Sequence, residues 1–267
     1  MLLQRITQHL KEQNWFAAGL DLVIVILGIF LGLQAQQWYL DREFEESEQI
    51  LLNKLIDEIE TNNRLAQYKI AYRSQVSESG ERAIKFLNGN EPCSDKCWSL
   101  LVDFFMASQA TTGPIVSNVL EEMKRLGLPR DENVRSKVDA YYVLGQGFSN
   151  ATSINFHYPY RDSVRQLMSS KAHKILWETC LSVEVIGLER LNPDCPQGLP
   201  DDEINIMLKR FRAEPRLKEY LNHWVGMQYP WQLFYRTQIT AGLEAVAAIE
   251  QSLMRPNGGP QQLTESD

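Results

Sequence analysis

FAAGLDLVIVILGIFLGL, residues 16–33, is an apolar stretch that contains a single charged residue, Asp21. Trp15 precedes it, and Trp38 and Tyr39 follow it. At about 1.5 Å per residue, a helix from Trp15 to Trp38 is roughly 35 Å long, which spans a hydrocarbon core of about 30 Å and places aromatic side chains at both interfaces. The stretch therefore predicts a transmembrane helix over residues 15–38.

A cleaved signal peptide is the alternative for this stretch, because the uninterrupted apolar run 22–33 has the length of a signal-peptide core. Cleavage after Ala35 would leave Leu33 near the cut, at a position where a small residue is expected. The flanking residues therefore favour an uncleaved anchor. The mean hydropathy of the whole chain is −0.31, which excludes a multi-span membrane protein.

The charges on the two sides of the predicted helix differ. Arg5 and Lys11 precede it, whereas residues 41–64 carry eight acidic residues against three basic ones. Because Lys and Arg are retained on the cytoplasmic side of a membrane, this bias favours a cytoplasmic N-terminus. We therefore expect a bacterial inner-membrane protein whose C-terminal domain lies in the periplasm.

The rest of the chain predicts an all-α fold. Hydrophobic residues are 44% and charged residues 23% of the chain, an ordinary globular mixture that can build a core. Helical periodicity continues beyond Trp38, so we expect the membrane helix to extend outward as a stalk into a helical bundle, with a second helix ending near residues 86–89. No stretch alternates apolar and polar residues with a period of two for long enough to predict a sheet. Further helices are predicted at 94–107, at 115–126, from Asp131 through Tyr142, at 162–191, and at 215–254 with an interruption at Tyr229 and Pro230.

These patterns divide the chain into four parts. Residues 1–14 place Leu2, Leu3, Ile6 and Leu10 on one helical face, which predicts a short amphipathic segment in the cytoplasm or at the interface. The end of the chain is rich in Gly, Pro, Gln and acidic residues, which predicts a disordered tail. The predicted parts are residues 1–14, the transmembrane helix 15–38, the helical extracytoplasmic domain 39–254, and the tail 255–267.

Four cysteines lie downstream of the predicted membrane helix: Cys93, Cys97, Cys180 and Cys195. An oxidising periplasm would permit two short-range disulfides, 93–97 and 180–195, each contributing about 2–3 kcal/mol. Other pairings stay open, because four cysteines allow three connectivities. A zinc site is the alternative, but the CSDKC segment lacks the CxxC spacing, and His157 and His173 show no paired ligand spacing. We therefore expect no metal and no cofactor.

Gly28 and Gly32 form a GxxxG pattern inside the apolar stretch, and Gln36 continues the same helical face one turn later. Small residues at this spacing let two helices approach closely, and a glutamine at such an interface can form a hydrogen bond across it. The alternative is that glycine is simply common in membrane helices. The pattern favours a parallel homo-oligomer or a contact with another membrane subunit.

Asp21 is unusual because a carboxylate costs roughly 2.5–3.5 kcal/mol at the bilayer centre and less near its edge. Two interpretations stay open: a carboxylate solvated near the cytoplasmic interface, and a proton acceptor that faces a partner. The segment LDLVIVILGIF, with a short cytoplasmic tail and a periplasmic domain, resembles the single-helix subunits of flagellar stators and of Ton and Tol energising complexes. That resemblance implies an ion-coupled energy transducer with a multi-span partner.

A second resemblance covers two blocks of the chain. In the first block, Asp21 precedes the apolar run 22–33, which is followed by Gln34, Trp38 and a charged helix. This order is similar to that of a family of uncharacterised bacterial single-pass membrane proteins, although Glu is commoner there than Asp. The resemblance implies a membrane helix followed by a helical extracytoplasmic domain, and it implies no function.

In the second block, residues 119–127 predict a helix that ends at a glycine, and Arg135 and the pair Tyr141 and Tyr142 follow. This order also resembles the family, whose members are not associated with four cysteines. The block has a purely structural interpretation as well. In it the tyrosine pair packs against a neighbouring helix with its hydroxyl groups in water.

The net charge and the motif content of the chain argue against two classes of function. A net charge of −7 and a pI near 5.3, without a basic cluster, argue against nucleic-acid binding. The chain contains no P-loop, GxSxG, HExxH or dinucleotide fingerprint, so we expect no enzyme. The leading hypothesis is a non-enzymatic, membrane-anchored helical protein that self-associates or serves as an accessory subunit of a membrane complex. The energy transducer is the second hypothesis, and an enzyme or small-molecule sensor with a pocket lined by the aromatic segment 148–160 is the third.

Overall fold

The computed structural model of the protein describes residues 15–111, 113–154, 158–184 and 188–255. The predicted amphipathic segment 1–14 lies outside the described residues, as does the predicted tail from residue 256 onward. The chain divides into two compact units, Met1–Asn53 and Lys54–Asp267.

Within the described residues the fold is all-α, as predicted: eight helices make up most of the structure, with one two-stranded antiparallel hairpin. The helices are α1 (Trp15–Asn88), α2 (Cys97–Ala107), α3 (Asn118–Arg125), α4 (Glu132–Ile154), α5 (Pro159–Leu167), α6 (Ser170–Thr179), α7 (Asp201–Ala213) and α8 (Leu217–Met254). The strands are β1 (Leu181–Val183) and β2 (Glu189–Leu191).

Two predicted helix breaks are wrong. The predicted stalk and second helix are one helix, since α1 continues to Asn88. Helix α8 continues through Pro230. Proline lacks the N–H that would bond the carbonyl four residues earlier. That carbonyl belongs to Gly226, which is exposed to solvent, so water can take the place of the missing donor.

The predicted helix over 162–191 is also wrong: it is broken at Met168 and Ser169, between α5 and α6, and its C-terminal part forms the strands β1 and β2. Leu181 pairs with Leu191, and both are buried on the core side. The Asn192 amide donates to the Cys180 carbonyl at 2.8 Å, which extends the strand pairing by one step. Strands of three residues are too short to show a period-two pattern in the sequence.

The core of the Lys54–Asp267 unit is built around α2, which is buried along almost its whole length. Phe104 and Phe211 contact each other there with ring centroids 4.6 Å apart. The Trp98 indole donates to the Cys195 carbonyl at 2.9 Å, so the loop before α7 is tied to the core. Separately, α4 packs along α8.

Polar side chains on one face of α1 bind the connection between α2 and α3. The Asn62 amide donates to the Val116 carbonyl at 2.7 Å and accepts from the Val116 amide at 3.0 Å. Glu58 accepts the Val119 amide at 2.9 Å, at the N-terminal end of α3. A carboxylate there satisfies a free helical N–H and lies at the positive end of the helix dipole.

The same face of α1 continues with Lys69 and Arg73. Lys69 donates to the Gly113 carbonyl at 2.9 Å, and Arg73 donates to the Thr111 carbonyl at 3.1 Å. Glu58, Asn62, Lys69 and Arg73 follow one another at intervals of four, seven and four residues. This spacing keeps all four side chains on one helical face. Polar backbone groups of a non-helical connection thereby find hydrogen-bond partners on a helix that precedes it in the chain.

Gly242 provides a test of how closely α8 packs against α1 and α4. A Cβ added at Gly242 would lie 2.6 Å from both amide atoms of Asn63 and 2.9 Å from the Tyr141 ring. We expect Gly242→Ala to lower the free energy of unfolding by about 1–3 kcal/mol, since a methyl group there overpacks the contact. Chemical unfolding of the full-length protein in detergent measures the effect.

Gly226→Ala, on the same helix, is the matched control. No heavy atom lies within 4 Å of a Cβ built at Gly226. An alanine there is expected to raise stability by about 0.5–1 kcal/mol through helix propensity alone. Equal effects of the two substitutions would contradict the close contact at Gly242.

Candidate functional site

The predicted association residues lie on an open face of α1. A Cβ built at Gly28 or at Gly32 has no heavy atom within 4 Å, and Gln36 is exposed. The large apolar residues from Leu22 to Leu33 around them are exposed by half or more. An 18-residue window of this helix has a mean hydropathy of 1.6 and is 0% buried, so it is long and apolar enough to cross a bilayer. The face is therefore free to contact lipid or another helix.

Asp21 lies within α1, but its side chain is outside the described residues. Its two interpretations from the sequence, a solvated carboxylate and a proton acceptor, both stay predictions.

The four cysteines form two pairs. Cys93 and Cys97 are bonded with Cα atoms 5.7 Å apart, and Cys180 and Cys195 are bonded with Cα atoms 5.0 Å apart. Of the three connectivities that the sequence allows, the structure has the short-range one. Among the described residues, no group of three or more His, Cys, Asp or Glu residues is placed to hold a metal ion.

The tyrosine pair differs from its sequence interpretation, because both hydroxyl groups are in the protein interior. Tyr142 donates to Glu58 at 2.6 Å, and Tyr141 approaches Asn63 at 3.3 Å. Burial raises the pKa of Tyr141 to about 12, and burial with the Glu58 hydrogen bond raises the pKa of Tyr142 further. The pair therefore fixes α4 against α1 in the neutral form and offers no exposed hydroxyl group.

An aromatic pocket of about 220 Å³ lies between α8 and the start of α5. Its aromatic walls are Tyr158, Tyr160, Tyr220, Trp224 and Trp231. Pro159, His223 and Met227 complete the lining and are exposed, so they mark its mouth.

The sequence predicted one side of this pocket. Tyr158 and Tyr160 line it, as the third hypothesis proposed for the segment 148–160. Phe148 lies elsewhere, stacked on Phe234 with ring centroids 4.7 Å apart, and residues 155–157 are outside the described residues. Sequence reasoning missed the side on α8. Its signal was the spacing of Tyr220, Trp224, Met227 and Trp231, which places them on one helical face.

Two aromatic rings of the pocket are held by hydrogen bonds on the side away from it. The Trp224 indole donates to the Ala107 carbonyl at 2.6 Å, and the Tyr160 hydroxyl donates to the Phe104 carbonyl at 2.9 Å. Trp224 also contacts the Tyr158 ring with centroids 4.1 Å apart. Because these polar atoms are satisfied in the core, the two rings present carbon surface to the pocket.

Arg73 lies behind the wall of the pocket. Its guanidinium carbon is 5.4 Å from the centroid of Trp231 and 5.8 Å from that of Tyr235. The side chain donates to the Gln228 amide oxygen at 2.9 Å, and its Nε is buried without a hydrogen-bond partner. The residue is only 2% exposed, and no carboxylate of the described residues forms an ion pair with it. A buried cation held by neutral groups is uncommon, because removing a charge from water is costly unless it is paired.

Lys69, one turn before Arg73, is the second cation of this region. Its amine is 5.5 Å from the centroid of the Tyr235 ring. Burial, together with the nearby charge of Arg73, lowers the pKa of Lys69 to about 8. The two cations give this part of the interior a positive potential.

This lowered pKa predicts a pH dependence of stability. In the folded protein Lys69 loses its proton near pH 8, whereas in the unfolded chain it keeps the proton to about pH 10.4. Between these two pH values the unfolded state binds more protons than the folded state. The contribution of Lys69 to stability therefore rises as the pH increases above 8. We expect the stability of the wild type to rise between about pH 7 and 9.5 relative to that of Lys69→Met.

Denaturant unfolding at several pH values measures this difference. Lys54→Met is the control, because Lys54 is an exposed lysine on the same helix. Parallel stability profiles of the wild type and Lys69→Met would contradict the lowered pKa.

Comparison with known proteins assigns no family to this geometry. No protein-family model, curated protein or solved structure matches the chain.

Proposed function

We propose that this chain is a non-enzymatic helical protein anchored in a bacterial inner membrane, which self-associates or serves as an accessory subunit of a membrane complex. The observation that carries the proposal is the apolar part of α1, where every described side chain from Leu22 to Leu33 is exposed. A continuous apolar surface of this kind is unfavourable in water and marks a membrane or protein contact. A bilayer covers all sides of such a helix at once.

The disulfides support an extracytoplasmic position for the Lys54–Asp267 unit. Both Cys93–Cys97 and Cys180–Cys195 lie in that unit. Disulfides form and persist in the periplasm and are rare in the cytoplasm. With Arg5 and Lys11 before the apolar stretch, the proposed topology has a cytoplasmic N-terminus and a periplasmic C-terminal domain.

The open glycine face supports association within the membrane. Since none of the described residues covers Gly28 or Gly32, a second helix can approach the α1 backbone closely there. Gln36 lies one turn further along the same face and can form a hydrogen bond across such an interface. A second copy of this chain fits the face because each copy presents the same small residues.

Isoleucine substitutions test the association. We expect Gly28→Ile with Gly32→Ile to weaken self-association at least tenfold, about 1.4 kcal/mol, because branched side chains separate the backbones. The mass of the intact assembly, extracted in gentle detergent and measured across a dilution series, reports the effect. Phe30→Ile is the control, since it adds the same side chain on the opposite face of the helix. An unchanged mass of the assembly in the glycine variant would contradict association through this face.

The proposed topology predicts the state of the cysteines. We expect the protein, denatured directly from membranes without reductant, to contain no free thiols, because both disulfides form in the periplasm. Thiol labelling followed by mass spectrometry measures this. Four labelled cysteines would place the Lys54–Asp267 unit in a reducing compartment.

A further inference from the structure

We propose that the aromatic pocket binds a small aromatic molecule that carries a carboxylate. This is a binding function of the Lys54–Asp267 unit, in addition to the proposed role of α1 in the membrane. Three properties of the pocket carry the inference: its size, the surface of its walls and the charge behind them.

The size of the pocket limits its occupant to a small molecule. A cavity of about 150 Å³ with apolar walls is known to hold benzene. The aromatic pocket, at about 220 Å³, has room for one or two fused rings. An extended peptide or a folded partner would need a longer groove.

The walls favour a flat, unsaturated occupant. Tyr158, Tyr160, Tyr220, Trp224 and Trp231 supply ring surface on several sides, and ring contacts add about 0.5–1.5 kcal/mol beyond the burial of area. The hydrogen bonds of Trp224 and Tyr160 into the core hold these rings in place without a ligand. A preorganised pocket does not have to order its side chains when the ligand binds.

The charge behind the walls determines the sign of the charge that a ligand can carry. An aromatic cage without that charge would suit an organic cation. Here Arg73 lies against Trp231 behind the wall, and none of the lining residues is acidic. Two arginines, Arg73 and Arg161, are the cations whose charges act on Tyr158. An anion is therefore attracted to this pocket and a cation is repelled.

The exposed mouth provides a place for the anionic group. His223 lies there, and its imidazole can donate a hydrogen bond to a carboxylate that remains partly solvated. The aromatic part of the ligand then enters between Trp224 and Trp231, while the carboxylate keeps part of its hydration. This arrangement avoids the cost of burying the anion fully.

Binding of three probes with the same ring system tests the proposal: 2-naphthoate, 2-naphthol and 2-naphthylmethylammonium. The full-length protein is placed in lipid nanodiscs, and each probe is titrated calorimetrically with empty nanodiscs as the blank. We expect 2-naphthoate to bind at least tenfold more tightly than 2-naphthol, and the ammonium probe to bind most weakly. Equal or tighter binding of the neutral or cationic probe would overturn the assignment of an anionic ligand.

A filling variant tests whether the probe occupies this pocket. Met227 lies at the mouth with 36% of its surface exposed, so Met227→Trp can fill the pocket from its rim. Met254→Trp is the matched control, since Met254 lies on the same helix, is 80% exposed and does not line the pocket. We expect the first variant to weaken 2-naphthoate binding at least tenfold and the second to leave it unchanged.

Thermal unfolding verifies that both variants are folded. If Met227→Trp is unstable, His223→Trp fills the mouth from another exposed position. Equal affinity in the filling variant and its control would show that the probe binds elsewhere and would overturn the proposal. A wild type that does not saturate at millimolar 2-naphthoate would overturn it as well.

Discussion

The Lys54–Asp267 unit depends on one constraint: the connection between α2 and α3 contains buried backbone, and its polar groups need partners. Residues 108, 109 and 111 are buried without belonging to a helix. An unsatisfied buried carbonyl or amide costs about 1–3 kcal/mol, so several of them would remove much of the stability of a domain. On the polar face of α1, Arg73 binds the carbonyl of the buried Thr111, and Asn62 and Lys69 bind the less buried Val116 and Gly113 further along the connection. The rotation and register of α1 within the unit follow from these bonds.

Arg73 links this constraint to the aromatic pocket. One branch of its guanidinium group binds the Thr111 carbonyl of the connection, and the other binds Gln228 on α8. The same group lies against Trp231, which lines the pocket. Arg73 thus brings a charge into the interior while its hydrogen bonds go to neutral acceptors, and an anionic ligand in the adjacent pocket would compensate that charge.

The sequence predicted those features that depend on local pattern, and it missed those that depend on distant contacts. The apolar stretch and the helical class follow from composition and periodicity, whereas the cysteine spacing left three connectivities open. Pro230 predicted a break because the sequence does not show that Gly226, four residues earlier, is exposed to solvent. The pairing of β1 with β2 was missed because each strand is three residues long. Arg73 had no recognisable role, since its partner Gln228 lies 155 residues away. The aromatic residues of α8 had the right spacing, but core packing produces the same pattern.

Charge compensation connects binding in the pocket to the stability of the unit. A ligand that binds only the folded protein stabilises it by mass action, whatever its contacts. The carboxylate of a bound ligand, at the mouth of the pocket, also adds a negative charge to the surroundings of Arg73, which lowers the cost of keeping that buried side chain charged and bonded to Thr111 and Gln228. The ligand then strengthens the attachment of α1 to α8, the two longest helices of the described structure. Binding of a small anion and ordering of the helical scaffold are thus favoured by the same electrostatic interaction.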